Sequence, residues 1–473
     1  MKKLLAITVS TFFGVSIFAF EKIPTQELFY SYLKNDADLK NLTIEAEKAQ
    51  LALEASQIDN GFDISLSSGT VTLKTVGTDS TLSVKSAGVS ASLPQASNLT
   101  FSATSNASLT NGNAETSSQL SDTKLNLGID LISSSALNRK ISLMQAERTL
   151  TEAKRNLQNE ALQTETDFYT ALKALLTSTS EIITAESELY TDTIEFESIK
   201  AKGYSTSSST YKLAQMEVLS DQHEIESKRR SLLHDYIIFY KECGYEISLE
   251  DDVDFYDLIP SDIPAVAALN IEDFDSEKYT EIEEALWTYE INSLSRSAQK
   301  NFTLSANGGY TFNNSDTSSN TVDAGLSSTI GGLNLTAGVS IPLTGANPAY
   351  TLSATLSPNT FRKNSITKKT NDLTEEQELL AIEEARLNYG TVIVDKQQEL
   401  QDLNWTKESC QESLEMYEKL SSELKNYFEA GIIKESEYLS ALSNAKSYKV
   451  KLISNSIDYI IYNNEIQSLF VTE

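Results

Sequence analysis

The chain has 473 residues, 38 of them Lys or Arg against 67 Asp or Glu, a formal charge of −29. That length holds one large or two medium domains, and that charge excludes a partner as acidic as nucleic acid. Two His and two Cys argue against a metal centre and a disulfide framework, and would leave any general-base chemistry to carboxylates.

Residues 1–19 read as a signal peptide. Lys2 and Lys3 precede an apolar run from Leu4 to Ile17, and Ala19 is the expected cleavage point. The alternative, a membrane anchor, needs a run of ~18 apolar residues or more. No Cys follows the run, so there is no lipoprotein signal, and no other segment is long and apolar enough to span as a helix.

Two copies of one plan follow. Residues 20–244 form repeat 1: a short helix at 25–57, strands within 62–131, and a long helical hairpin over 134–243. Residues 245–276 form an acidic connecting segment. Residues 277–473 form repeat 2: a short helix at 277–299, strands within 302–357, and a long hairpin over 362–470. In "FDISLSSGTVTLKTV" and "LNLTAGVSI" apolar residues alternate with Ser, Thr and Asn, the pattern of strands wetted on one face. Up to four such segments occur in the first copy and at least three in the second. Pro94 and Pro342 suggest breaks or extracellular corners there.

No Pro lies between 95 and 259 or after 358, so long helices are permitted. Ala161, Phe168, Leu175, Ile182, Leu189 and Phe196 recur by sevens. So do Tyr211, Val218, Ile225, Leu232 and Phe239. In the second copy Tyr438, Ala445, Leu452, Tyr459 and Ile466 sit 227 residues after that row, and Lys396 alone interrupts the row before its turn. A sustained seven-residue repeat predicts helices packed side by side. Gly203 and Gly431 punctuate the two hairpins, where Gly can take the left-handed conformation that a sharp reversal needs.

The connecting segment contains "EDDVD", whose spacing does not fit a calcium loop. His223 and His234 are eleven apart, the wrong spacing for a helical metal pair. If the two turns are level, Cys243 and Cys410 lie about 28 Å apart along the helices, too far for a disulfide. No nucleophile elbow, phosphate loop or paired-carboxylate pocket occurs, so neither an enzyme nor a cofactor is expected.

An exported chain with one-sided strands suits an outer-membrane barrel, which must be closed. One copy's strands are too few to enclose a pore, so closure by several chains is inferred. The element order, the duplication, "LFYSYLKNDADLKNLTIEAEKAQLALEASQ" and above all "FEAGIIKESEYLSA" resemble the TolC-like outer membrane efflux proteins. The resemblance covers nearly the whole mature chain. It implies an α+β fold: a β-barrel in the outer membrane, closed by a homotrimer, continued by a helical tunnel of coiled-coil hairpins in the periplasm.

It further implies that the turns at Gly203, Tyr204, Gly431 and Ile432 form the periplasmic tip. There a membrane-fusion adaptor and an inner-membrane pump or ABC transporter would dock. Glu437 matches the position whose acid lines the tunnel entrance, and would give a ring of three carboxylates. The chain departs from the family in having Thr210 and Ser440 at related positions, and more strands per repeat than the usual two. Either long strands are interrupted by bends, or the barrel is larger. The implied function is a passive exit duct for small molecules or exported polypeptides. A family member without a pump, or an exported structural or adhesive coiled-coil surface protein, are the alternatives.

Overall fold

A computed structural model describes residues 23–77, 79–95, 97–111, 116–249, 253–299, 302–313 and 320–471. The expected leader lies outside these residues. In chain order the elements are α1 (Thr25–Asn35), α2 (Ala37–Asp59), β1 (Asp63–Ser67), β2 (Thr70–Val76), β3 (Asp79–Leu93), β4 (Leu99–Asn111), β5 (Thr116–Ile132), α3 (Ser135–Ala201), α4 (Ser209–Glu242) and α5 (Phe255–Leu258). Then come α6 (Thr280–Ala298), β6 (Phe302–Phe312), β7 (Thr321–Ile330), β8 (Leu333–Pro342), β9 (Ala349–Leu356), α7 (Pro358–Glu429) and α8 (Glu435–Ser468). At 1.5 Å per residue α3 is about 100 Å long.

The single short helix expected over 25–57 is instead two. The Asp36 carboxylate accepts from the N–H groups of Asp38 (2.7 Å) and Leu39 (3.0 Å), ending α1 and capping α2. Thr164 of α3 donates to the same carboxylate at 2.8 Å and fixes the break in place.

The chain divides into two compact units. One comprises residues 1–43, 155–280 and 388–473. Its core joins α1, α3, α4, α5 and α8 through Leu28, Phe168, Leu176, Leu232, Phe239, Phe255 and Ile457. The seven-residue rows supply part of this core through Phe168, Leu175, Ile182, Leu232 and Phe239, and Val218, Ile225, Tyr459 and Ile466 of the same rows are buried as well. Lys396, the charged interruption, lies over the Tyr462 ring, bonds Glu399 at 2.7 Å and pairs with Glu465 of α8. The connecting segment buries Phe255, Leu258 and Ile259 in the same core. Thr25 donates its hydroxyl to Asp262 at 2.6 Å, and Asn463 of α8 accepts from the Leu269 N–H at 2.8 Å. Cys243 and Cys410 are both buried and free.

The other unit comprises residues 44–154 and 281–387. It holds the sheet, α6 and the sheet-proximal ends of α2, α3 and α7. Ala49 and Leu53 pack on Leu150, and Ile141 packs on Ile291 and Ala298. Arg148 is clamped between Glu152 and Glu283 over the Trp287 ring. Arg296 bonds Glu378 at 2.8 Å.

Among the described residues nine strands form one antiparallel sheet in the order β1-β3-β4-β5-β6-β7-β8-β9, with β2 also on β3. β1 pairs with residues 88–92 of β3 and β2 with residues 79–85, so β1 and β2 share one lateral position and the sheet is eight strands wide. It is open, with β1/β2 and β9 as its edges. Among the described residues five strands precede α3, one more than the up to four expected there, and four lie between α6 and α7, in keeping with at least three. Of the two alternatives for Pro94 it is the break that holds, between β3 and β4 and on the side where α3 begins, where Arg139 of α3 donates to its carbonyl. Pro342, at the end of β8, lies at the opposite end, level with Thr321.

Candidate functional site: an amphipathic wall and two hairpin turns

Cross-strand register sorts the sheet's side chains onto two faces. On one, Leu66 pairs with Val89, Val89 with Ala103, and Ala103 with Leu125. The row continues through Leu125 and Tyr310, Tyr310 and Val322, and Val322 and Ile341. A parallel row ends in Ala337 and Leu352 on β9. Residues two apart on a strand share a face, so this face is apolar from one edge to the other. The opposite face carries Ser65, Ser90, Ser102, Asn126, Asn307, Ser327, Thr336 and Ser353. Hydroxyl pairs cross it at 2.6 Å from Ser65 to Ser90, Ser305 to Ser327, and Thr336 to Ser353. Leu66, Tyr350 and Leu352 are about 80% exposed, so the apolar face is uncovered within one chain. β6, β7 and β8 are 11, 10 and 10 residues long, the length at which tilted strands cross a bilayer. Among the described residues no helix is long and apolar enough to do so.

The turns belong to the helical unit. Gly203 has φ +78° and Gly431 φ +69°, both left-handed. At the second turn the Gly431 N–H bonds Phe428 O (2.8 Å) and the Ile432 N–H bonds Tyr427 O (2.9 Å), the paired bonds of a Schellman cap. At the first, the Gly203 N–H bonds Lys200 O at 3.0 Å, and Ser208 caps α4 by accepting from the Tyr211 N–H at 3.3 Å. Tyr204 and Ile432 are exposed beside their glycines. Glu437 is exposed in the first turn of α8.

α8 runs antiparallel along α3. Ser447 faces Ser180 at 2.8 Å, Ser443 donates to Ile183 O at 3.1 Å, and Tyr190 donates to Glu435 at 2.6 Å. Counting from the serine pair, α3 extends about nine residues, roughly 14 Å, past the start of α8. The turns are therefore staggered, and the level assumption behind the expected cysteine separation does not hold. The sequence reading also missed Gly244, left-handed at φ +83°, which caps α4: the Tyr245 N–H bonds Tyr240 O at 2.8 Å. A Gly directly after a helical run was the available signal.

Near the first turn, the Asp192 carboxyl on α3 is pushed up to about 6 by burial, by a hydrogen bond with Asp221 of α4 and by that group's charge, with Glu217 and Glu195 adding. Asp221 Oδ2 is buried with no other partner. The carboxylates of Asp36, Asp38 and Glu160 lie within 4.8 Å of one another. Asp36 is already engaged in capping α2, and we assign no ion there.

Over most of its length the chain is similar to solved outer membrane channels. With VceC of Vibrio cholerae it shares 12% identity over 94% of this chain and 95% of that one, with a TM-score of 0.48. With CmeC of Campylobacter jejuni the values are 14%, 94%, 86% and 0.43. With the open-state MtrE channel of Neisseria gonorrhoeae they are 11%, 94%, 88% and 0.46. Comparison with curated proteins returns no match. Residues 28–263 match the TP096X N-terminal domain and residues 264–473 the TP096X C-terminal domain. Spanning residues 28–473 between them in consecutive order, the two matches show that the chain belongs to the TP096X family.

Proposed function

We propose that this protein is an outer-membrane exit duct, a passive channel whose helical part lies in the periplasm. The observation that carries the reading is the sheet: one face apolar across all eight positions, the other lined by hydroxyls and amides. A wall of that kind separates hydrocarbon from water, and an open sheet cannot sit in lipid with unpaired edges. Because the number of positions is even, β1/β2 and β9 run antiparallel. The β9 of one copy then continues onto the β1/β2 of the next with the same alternation and the same apolar face. Three copies close the wall in this reading, and the two copies of the helix–strand–hairpin plan supply similar hairpins to the tunnel below.

The turns at Gly203 with Tyr204 and Gly431 with Ile432 form the periplasmic tip that a membrane-fusion adaptor reads. An inner-membrane pump or ABC transporter supplies the energy, as in tripartite efflux or type I secretion. Glu437 forms a three-carboxylate ring at the entrance. The cargo is small molecules or exported polypeptides, and no catalytic step is involved. An exported coiled-coil surface protein would account for the heptads but has no use for a one-sided apolar sheet. Cell fractionation tests the reading: the native chain is expected in the outer membrane, migrating unheated as a slow oligomer and boiled as a single chain. Extraction as a soluble rod would sink it.

A further inference from the structure

The sheet is not equally tall across its width. β5 pairs with β6 only from Thr123 to Ile132. Residues 116–122 of β5 therefore rise past the second half of the sheet, by about 23 Å at 3.3 Å per residue. Residues 106–111 of β4, 79–85 of β3 and all of β2 rise with them, paired in register. The result is a four-stranded extension on the side away from α3 and α7.

A crease runs across its base. β3 slips register between Val84 and Ala87, and β4 with β5 slips beside Asn106. Ser86 (φ 57°) and Asp122 (φ 50°) are left-handed at these slips, and Gly69, between β1 and β2, is left-handed at φ 66°. A Cβ at Gly69 would lie 2.0 Å from the Lys85 carbonyl oxygen, so only glycine fits. Asn106 Oδ1 accepts from the Ser86 N–H at 2.8 Å and holds the slip. Bulges bend a sheet and re-aim its faces. These lie level with the tops of β6 to β8, where the wall has already used one bilayer's worth of residues.

The bulges also keep the apolar residues above and below the crease on one face, interrupted at the crease itself by the Ser105 and Thr123 hydroxyls, 3.0 Å apart. Above it Val71 pairs with Val84, Leu73 with Leu82, and Leu82 with Leu109. Val71, Leu73, Leu82 and Leu109 are exposed. Lys74 and Lys85 sit on the other face with Thr72 and Ser83. A straight or inward-folded extension would hold the apolar face in water, at the cost any contiguous apolar patch carries. Folding outward at the crease lays that face on lipid and leaves the lysine face in water.

We infer that the extension folds outward at the Gly69–Ser86–Asp122 crease and lies on the outer leaflet, its Val71, Leu73, Leu82 and Leu109 face in the lipid interface. This rests on the wall being membrane-spanning. The test uses the full chain reconstituted in phosphatidylcholine vesicles, with a fluorophore on single cysteines introduced as Leu73→Cys, Thr72→Cys and Leu352→Cys. The chain's own Cys243 and Cys410 are buried. Shallow spin-labelled lipid should quench the Leu73→Cys probe, aqueous iodide the Thr72→Cys probe, and deep spin-labelled lipid the Leu352→Cys probe. Equal iodide quenching at 72 and 73, with 352 still quenched by lipid, overturns the extension's placement alone. A Leu73→Cys probe shielded from both quenchers, with cross-links between copies, shows a second copy as the occupant and also overturns it. No lipid quenching at 352 removes the wall itself, and the inference with it.

Discussion

The hydroxyls of Ser180 on α3 and Ser447 on α8 lie 2.8 Å apart, and this pair sets the level of one hairpin against the other. Converted together to cysteine, the two positions should form an intrachain disulfide on mild oxidation. Tyr204→Cys with Ile432→Cys should not, because the stagger holds the turns beyond the ~7 Å that a disulfide spans. Non-reducing electrophoresis after proteolysis between the hairpins reads both. A 204–432 disulfide would show level turns.

How far this was legible in the sequence depends on the length of the pattern. The rows through Phe168, Val218 and Tyr459 repeat often enough to fix the long helices α3, α4 and α8 and their buried faces. The stagger has no such signature, because it depends on which α3 and α8 residues meet, and Ser180 and Ser447 are ordinary serines. The break at Asp36 was hidden inside an uninterrupted helical pattern and decided by one carboxylate and by Thr164. The crease did leave a trace: apolar residues at 82 and 84 resume at 87 and 89, a slip of parity that alternation counted loosely passes over. Glu437 and the glycines were read from spacing and resemblance, and only the glycines carry a local conformational signal.

Glycine substitution at the turns should be mild. Gly203→Ala and Gly431→Ala meet nothing within 4 Å, so each costs only the left-handed penalty, about 1 kcal/mol. Gly244→Ala should cost more, because its Cβ would lie 2.4 Å from Asn35 Nδ2 and the amide must move. Denaturant melts of the three variants give the ranking. An equal loss at all three would contradict it.

The helical core should be far less tolerant. Phe168 is fully buried among Phe29, Tyr32, Tyr169 and Phe239. Phe168→Ala should cost about 3–5 kcal/mol, whereas truncating the exposed Leu213 should be near neutral. Thermal unfolding followed by circular dichroism separates the two.

The hairpin should respond to pH through Asp192. Its raised folded pKa, from burial and the Asp221 carboxyl, means that the folded state holds a proton the unfolded chain releases. This favours folding below the ordinary carboxylate range, and the benefit is lost as pH rises toward about 6. Asp192→Asn should therefore raise the Tm at pH 7 and flatten its dependence between pH 4 and 7. A variant with an unchanged pH profile would remove the pair from that role.

The two faces of the wall should tolerate charge differently. Leu352→Arg places a cation on the apolar face and should cost about 2–4 kcal/mol near the bilayer midplane, lowering the yield of heat-modifiable protein. Ser353→Arg, one residue on and on the hydroxyl face, should leave assembly intact.

Single-channel recording of the purified, detergent-extracted chain in a planar bilayer, beside Glu437→Ala, tests the duct most directly. Discrete cation-favouring steps are expected, larger or less selective in the variant. A well-folded oligomer that gives no steps would contradict the duct and favour the structural coiled coil.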